Sequence, residues 1–301
     1  MENSLEKHSK EIFIPAKRSI IRSLGIRKNQ FIYRNKAYQS HISIDSFAQL
    51  ADYHIYGRSG QEPLDRKRSE KSKILFVNSD RFAQLDFGHF PNLNVIISGN
   101  TDTNFGSIPN LPPNINLVLI QNCAVLAKNI KTLPIGLENK RTGRYSNLKF
   151  FSAEMRRAKF NSKILVPPMS NTNPIRSVAI TKSFEIPELY DVKTRYLHEK
   201  EYFNLIKNYQ FLLCLEGNGF ENHRIWEALY LGIFPVLLRT KWSVTLDYLK
   251  LPILLIDDLS KISRDDLYEF WLANLNFNPE TTPQLWLEYW KGLINSHLDI
   301  P

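Results

Sequence analysis

One stretch, residues 211–238 (FLLCLEGNGFENHRIWEALYLGIFPVLL), restricts the fold more than any other. Residues 211–215 are continuously apolar and of strand length, the pattern of a strand covered on both faces in a parallel sheet. Gly217 and Gly219 break that run; glycine tolerates positive φ and lets the backbone approach a ligand closely. Asn222 suits a helix N-cap, because its side-chain oxygen can accept from an amide of the first turn. From His223 the pattern is helical: Arg224, Glu227, Ala228 and Leu231 share one stripe, and Ile225, Trp226 and Leu229 another. Gly232 offers a helix stop, and residues 233–238 form a second apolar run with Pro235 near its start, where a missing amide is tolerated. Strand, turn, helix and strand in this order predict an α/β fold built on parallel strands.

The same unit carries chemistry. A strand ending beside a helix N-terminus presents unpaired amides and the positive end of the helix dipole, which attract anions. Arg224 in the first turn is placed to pair with a diphosphate. Glu227, one turn on, is an acceptor-only group suited to ribose hydroxyls. Spacing alone also describes an i,i+3 surface ion pair and an ordinary glycine turn. The coincidence of charge, glycines and buried strands at a strand's carboxyl end, where open α/β sheets bind ligands, favours the anion site.

The segments Glu216-Gly217-Asn218-Gly219, His223-Arg224-Ile225-Trp226-Glu227-Ala228-Leu229 and Gly232-Ile233-Phe234-Pro235-Val236 resemble the donor-site signature of exostosin-like glycosyltransferases. They are similar, more loosely, to the equivalent region of fucosyltransferases with the same fold. The resemblance implies a GT-B-like architecture, two Rossmann-like α/β domains facing a central cleft, with the nucleotide sugar held by the C-terminal domain. It implies that Arg224 faces the donor phosphates and Glu227 lies near the nucleotide, beside the donor loop Glu216, Gly217, Asn218 and Gly219. His223, in the same motif, is expected among the donor-binding residues, although it stands where these families vary. Residues 163–176 resemble the first strand and loop of the donor domain, with Asn173 and Arg176 facing the donor and Arg176 as a second phosphate ligand. Without the resemblance, Arg176 also reads as a solvated residue at a helix start. Residues 98–102 (SGNTD) and 133–139 resemble elements of the acceptor-side domain in bacterial relatives, which puts Asn100 and Asp102 near the cleft and Glu138 on the same side. As plain sequence, Asp102 is equally a cap and Asn100 a turn residue.

At 301 residues, with 43% hydrophobic and 23% charged, the chain suits two soluble domains of about 150 residues and a sizeable core. The expected division is residues 1–150 for an acceptor-side α/β domain, 151–280 for a nucleotide-sugar-binding domain, and 281–301 for a terminal helix packing back toward the first. Further strands are predicted over 73–78, 93–98, 115–120, 163–168 and 253–256, spaced as strands alternating with crossovers. Residues 108–113 are too rich in proline for a helix. Residues 140–152 read as a polar linker, 57–72 as a loop or basic helix, and 283–294 as an aromatic helix.

A formal charge of +9 favours anionic partners. Much of it lies in Lys7, Lys10, Lys17, Arg18, Arg22, Arg27 and Lys28, and in Arg58, Arg66, Lys67, Arg68, Lys71 and Lys73. These are solvated side chains by default, and a patch for peripheral contact with an anionic membrane in an enzyme that builds on lipid carriers. No nucleic-acid motif or aromatic-basic stripe accompanies the charge, so nucleic acid is not an expected partner. Cys123 and Cys214 lie in apolar surroundings without metal-ligand spacing, which predicts two reduced thiols. The N-terminal residues lack a signal-peptide core, and no apolar run reaches the ~20 residues of a membrane span. The expected location is the cytoplasm, with peripheral contact at the inner face of the membrane left open.

Sugar transfer from a nucleotide requires a held diphosphate, a stabilised leaving group and an activated hydroxyl. Loop amides with Arg224 and Arg176 answer the first two, and no metal cofactor is expected, because Asp257 and Asp258 read as a strand end before a helix cap rather than a DxD pattern. The base is expected on the acceptor side, Asp102 first, with Glu138 and His89 as alternatives. Glu216 reads as a contact to sugar hydroxyls or as a turn residue. The sequence therefore predicts an inverting glycosyltransferase that moves a sugar from a nucleotide sugar to a glycan or lipid-linked glycan acceptor. Its rivals are a non-catalytic nucleotide-sugar or glycan-binding protein lacking a base, and a basic nucleic-acid-binding protein whose affinity falls steeply with salt.

Overall fold

The apolar runs pair side by side in parallel and collect into two sheets of five strands. A computed structural model describes residues 41–56, 64–139, 148–151 and 163–298. The first sheet holds β1 (Tyr53–Ile55), β2 (Ile74–Asn78), β3 (Val95–Gly99), β4 (Leu117–Ile120) and β5 (Ile130–Thr132) in chain order. The second holds β6 (Ile164–Val166), β7 (Tyr190–Val192), β8 (Phe211–Leu213), β9 (Phe234–Leu238) and β10 (Leu254–Ile256), in the order β10-β9-β8-β6-β7. Among the described residues the α-helices are α1 (Ile44–Ala48), α2 (Arg66–Ser69), α3 (Ser79–Phe82), α4 (Pro174–Glu185), α5 (Glu199–Ile206), α6 (His223–Tyr230), α7 (Arg264–Ala273) and α8 (Leu287–Asn295).

Strand residues alternate between two faces, and in the second sheet each face has its own helices. Val166, Phe211, Leu213 and Val236 pack with Ala179 and Ile180 of α4 and Leu267 of α7. Leu165, Leu212 and Leu237 pack with Phe203 of α5 and Ile225 and Leu229 of α6. This second cluster continues into the first sheet through Phe76, Ile97 and Leu119, so one apolar core joins the two halves. Trp290 of α8 lies edge-on to Phe47 of α1 with ring centroids 5.3 Å apart, and Asn116 Nδ2 donates to the His297 carbonyl at 2.9 Å.

Several expectations shift in detail. β1, β5 and β7, three residues each, add to the strands that the sequence predicts. Pro235 sits inside β9, an interior strand, without costing a ladder bond, because the pairing with β10 begins only at Val236. The aromatic helix expected over 283–294 is broken: a 3-10 turn, Pro283–Leu285, ends at Trp286, whose backbone is extended. Trp286 is held there by a bridge to His41 and by its Nε1 donating to the Pro279 carbonyl at 2.9 Å. The described part of the expected linker, Leu148–Phe151, is packed rather than solvated: Phe150 stacks on Phe203 and Phe151 is buried. Residues 140–147 and 152, the basic residues from Lys7 to Lys28, and Arg58 lie outside the described residues. Cys123 and Cys214 are free and buried. Among the described residues, no helix is long and apolar enough to cross a membrane.

Candidate functional site

The second sheet starts in its interior. β6 has β7 on one side and β8 on the other, so the chain leaves β6 across one face through α4 and returns across the other through α5. The loops after β6 and β8 therefore part to opposite faces, and their divergence leaves the crevice in which open α/β sheets bind ligands. The candidate donor residues, at 173–176 and 216–227, lie on these two loops and the helices they open.

Asn173 ties the loops together. Its Oδ1 caps α4 by accepting from Ile175 N at 3.0 Å, and its Nδ2 donates to the Gly217 carbonyl at 3.1 Å. Arg176, one helical turn on, is 4% exposed. Its Nε donates to the Glu216 carbonyl at 2.7 Å, Nη1 to the Ser170 carbonyl and Thr172 Oγ1, each at 2.9 Å, and Nη2 to the Leu215 carbonyl at 3.2 Å. The expected phosphate ligand is thus a brace whose donors are largely consumed by the loops it holds. Its charge, however, has no carboxylate partner among the described residues; carbonyl and hydroxyl dipoles alone solvate it. Burial, and then the like charge of Arg224, pull its pKa down to about 10, which leaves it cationic at neutral pH.

Helix α6 starts and stops as its residues dictate. Asn222 Oδ1 accepts from Arg224 N at 3.1 Å, a cap worth about 1 kcal/mol. At the other end Gly232, at φ 71, completes a Schellman motif: Ile233 N donates to the Ala228 carbonyl and Gly232 N to the Leu229 carbonyl. Arg224 is half-buried, with Nη2 donating to the Pro168 carbonyl in the β6 loop at 2.8 Å. Glu227 is neither its surface partner nor open to a ribose. It is 3% exposed, and Oε2 accepts from Tyr202 of α5 at 3.0 Å. Burial pushes its pKa up to about 7, against the opposing pull of Arg224 and the Tyr202 hydrogen bond.

Gly217 and Gly219 serve close approach, as expected, but the approaching groups belong to the protein and neither glycine has positive φ. A Cβ at 217 would lie 2.9 Å from Arg176 Nη2, and one at 219 would lie 2.5 Å from Asn122 Nδ2. The Gly217 amide, one of those expected to face an anion, donates instead to the Gly219 carbonyl at 2.9 Å. Glu216, half-buried, lines a narrow pocket with Cys214, Leu237 and Trp242. Burial raises its pKa, while a hydrogen bond with Thr240 opposes the shift.

The β8 loop also meets the first half. Asn218 Nδ2 donates to Asp102 Oδ2 at 3.2 Å, Phe220 N to Asn104 Oδ1 at 2.9 Å and Glu221 N to Asn122 Oδ1 at 2.8 Å. His223 Nδ1 lies 2.9 Å from the Gly136 carbonyl. Asp102 and Glu138 both act electrostatically on His223, so these residues, distant in sequence, share one neighbourhood. Asn100 turns away from it: at φ 71, its Nδ2 donates to Asn78 Oδ1 at 3.1 Å and its amide to Gln121 Oε1 at 3.0 Å. His89 lies in the connection between β2 and β3, 3.3 Å from Asp86, and is not brought to the seam.

Two seam residues escaped the sequence reading. Glu221 is 5% exposed, accepts from Trp226 Nε1 at 2.6 Å, and is pushed up to about 8 by burial. Asn122, at φ 54, is the fixed acceptor for its amide. The available signals are an acid just before a capping asparagine and an asparagine two residues after a strand, where left-handed backbone favours that residue. Asp257 pairs with Arg239 at 2.9 Å, and Asp258 accepts from Lys182 at 3.1 Å and from Ser260; the following helix is capped by Ser263 instead. Among the described residues, no group of three or more His, Cys, Asp or Glu is arranged to hold a metal ion. No protein-family model matches the chain, and no curated protein matches it.

Proposed function

We propose that the protein is a nucleotide-sugar-dependent glycosyltransferase of GT-B-like organisation, with the donor diphosphate at the crevice between β6 and β8. The observation that carries this reading is the buried Arg176 guanidinium, set beneath both crevice loops without a carboxylate partner among the described residues. Buried charges are ordinarily paired, and an unpaired one costs several kcal/mol. An anion bound above the loops supplies the missing partner. Arg224 adds a second guanidinium at the start of α6, where the helix dipole has the same sign.

A nucleoside diphosphate is the leaving group that uses such a site. As the bond from its oxygen to the sugar breaks, negative charge grows on the diphosphate, and two guanidiniums in place before the reaction stabilise it. The acceptor, a glycan or lipid-linked glycan, approaches from the first-half side of the seam, where Asp102 and Glu138 stand. The resemblance to exostosin-like enzymes supports the same division of labour.

The test is a thermal-shift panel of UDP-, GDP-, CMP- and dTDP-sugars. One nucleotide class is expected to stabilise the protein, by about 2.7 kcal/mol at a hundredfold excess over Kd. Arg224→Ala is expected to weaken that nucleotide's binding about 10- to 100-fold, the worth of a charge-assisted hydrogen bond, with little change in melting temperature. A panel with no shift, or unchanged affinity in folded Arg224→Ala, overturns the assignment.

A further inference from the structure

His223 and Arg224 are adjacent on α6, and successive helical side chains diverge by about 100°. Arg224 reaches the Pro168 carbonyl in the second half, whereas His223 reaches the Gly136 carbonyl in the first. The cation therefore faces the donor loops and the imidazole faces the acceptor side.

The two ring nitrogens of His223 are not equivalent. Nδ1 lies 2.9 Å from the Gly136 oxygen, and a carbonyl can only accept, so in the neutral ring Nδ1 carries the proton and Nε2 the lone pair. Nε2 has no hydrogen-bond partner among the described residues. The orienting carbonyl is itself held: Gly136 has φ +66 and bridges Ser43, and a Cβ there would lie 2.2 Å from the Ile42 oxygen. The charged groups acting on the ring are Glu138, from the segment after β5, and Asp102, from the loop after β3; Arg224 is the next residue on its own helix. Burial lowers the pKa of the ring, and both carboxylates act in the opposite direction, favouring an imidazolium once it forms.

We infer that His223 is the general base that activates the acceptor hydroxyl, a role resting on the glycosyl-transfer reading above. The acceptor oxygen attacks the anomeric carbon as the bond from that carbon to the phosphate oxygen breaks. The bonding pair leaves with the nucleoside diphosphate, and the hydroxyl proton passes to Nε2. Asp102 and Glu138 then stabilise the imidazolium rather than taking the proton themselves, an arrangement of base and orienting group common to hydroxyl activation.

The experiment uses whichever of the UDP-, GDP- and dTDP-sugars binds, with water as the acceptor, and measures release of the nucleoside diphosphate. His223→Ala is expected to lose about 10²- to 10⁴-fold in turnover while its Kd for the nucleoside diphosphate stays within about threefold of wild type. Added imidazole is expected to restore turnover to His223→Ala. It is expected not to restore His223→Gln, which keeps a donor for the Gly136 carbonyl and guards against a simple folding defect. Wild-type turnover in His223→Gln, or a loss that imidazole does not restore in a His223→Ala variant that still binds, overturns the role of His223 and leaves the transferase reading standing. A wild-type protein that binds no nucleotide sugar, or binds without release, overturns the transferase reading and this inference with it.

Discussion

The first sheet adds its strands in chain order from β1 to β5, whereas the second starts with β6 inside and grows outward on both sides. Strand number and parallel sense are the same, so the difference lies in where consecutive connections go. In the first sheet no neighbouring pair of loops is forced apart, and residues at the strand ends satisfy one another: Asn78 with Asn100, and Asn100 with Gln121. In the second sheet the β6 and β8 loops diverge, and the gap beneath them is filled by a guanidinium. A neutral amide network closes one edge, and a buried cation without a carboxylate partner among the described residues braces the other.

Removing that cation is the strongest way to break the contrast. Arg176→Ala orphans the carbonyls of Ser170, Leu215 and Glu216 together. The expected loss is on the order of 4 kcal/mol of stability, given the worth of hydrogen bonds to charged groups, and nucleotide binding is expected to disappear. Urea denaturation and a binding titration read the two effects separately. A variant that is as stable as wild type and still binds removes Arg176 from both the loop architecture and the site.

The seam between the sheets can be separated from the crevice by pH. The carboxyl of Glu221, raised by burial from 4.5 to about 8, holds a proton in the folded state that the unfolded chain has released. Its contribution to stability is complete below about pH 4.5 and is lost as pH rises through about 8. At most about 1.4 kcal/mol per pH unit is at stake, so a loss of about 2 kcal/mol is expected between about pH 6 and pH 8. Glu221→Gln keeps an acceptor for Trp226 Nε1 and is expected to flatten that slope in melts across the range. An unchanged slope assigns the pH dependence elsewhere, with Glu227, at about 7, as the next group to replace.

What the sequence made legible follows the reach of each interaction. The strand runs, the Asn222 cap and the Gly232 stop are local, and each forms where its residues indicate. The strand order that creates the crevice is not local, since β6 pairs with both β7 and β8 across intervening helices. Glu227 pointed to a ribose only while its partner Tyr202, a full crossover earlier, was unseen. The bracing role of Arg176 is not legible for the same reason: two of the carbonyls that take its donors, those of Leu215 and Glu216, come from the far side of β7, α5 and β8. The short strands β5 and β7 carry Lys131 and Asp191 among few apolar residues, so no periodicity marks them.

The smallest expected effect sharpens the contrast from the first sheet's side. Asn100→Gly removes the Nδ2 bond to Asn78 but relieves the cost of holding a side chain at φ 71, so the opposing terms nearly cancel, within about 1 kcal/mol. Since Asn100 faces its own sheet's amide network, the nucleotide Kd is expected to stay within about threefold, a change of no more than about 0.7 kcal/mol. Turnover on a sugar acceptor is the more informative reading, because the loop that begins at Asn100 carries Asp102 to the seam. A turnover loss at constant Kd means the first sheet positions the acceptor side through this turn. A weakened Kd means its edge also shapes the donor crevice, and the division between a neutral edge and a cationic one must be abandoned.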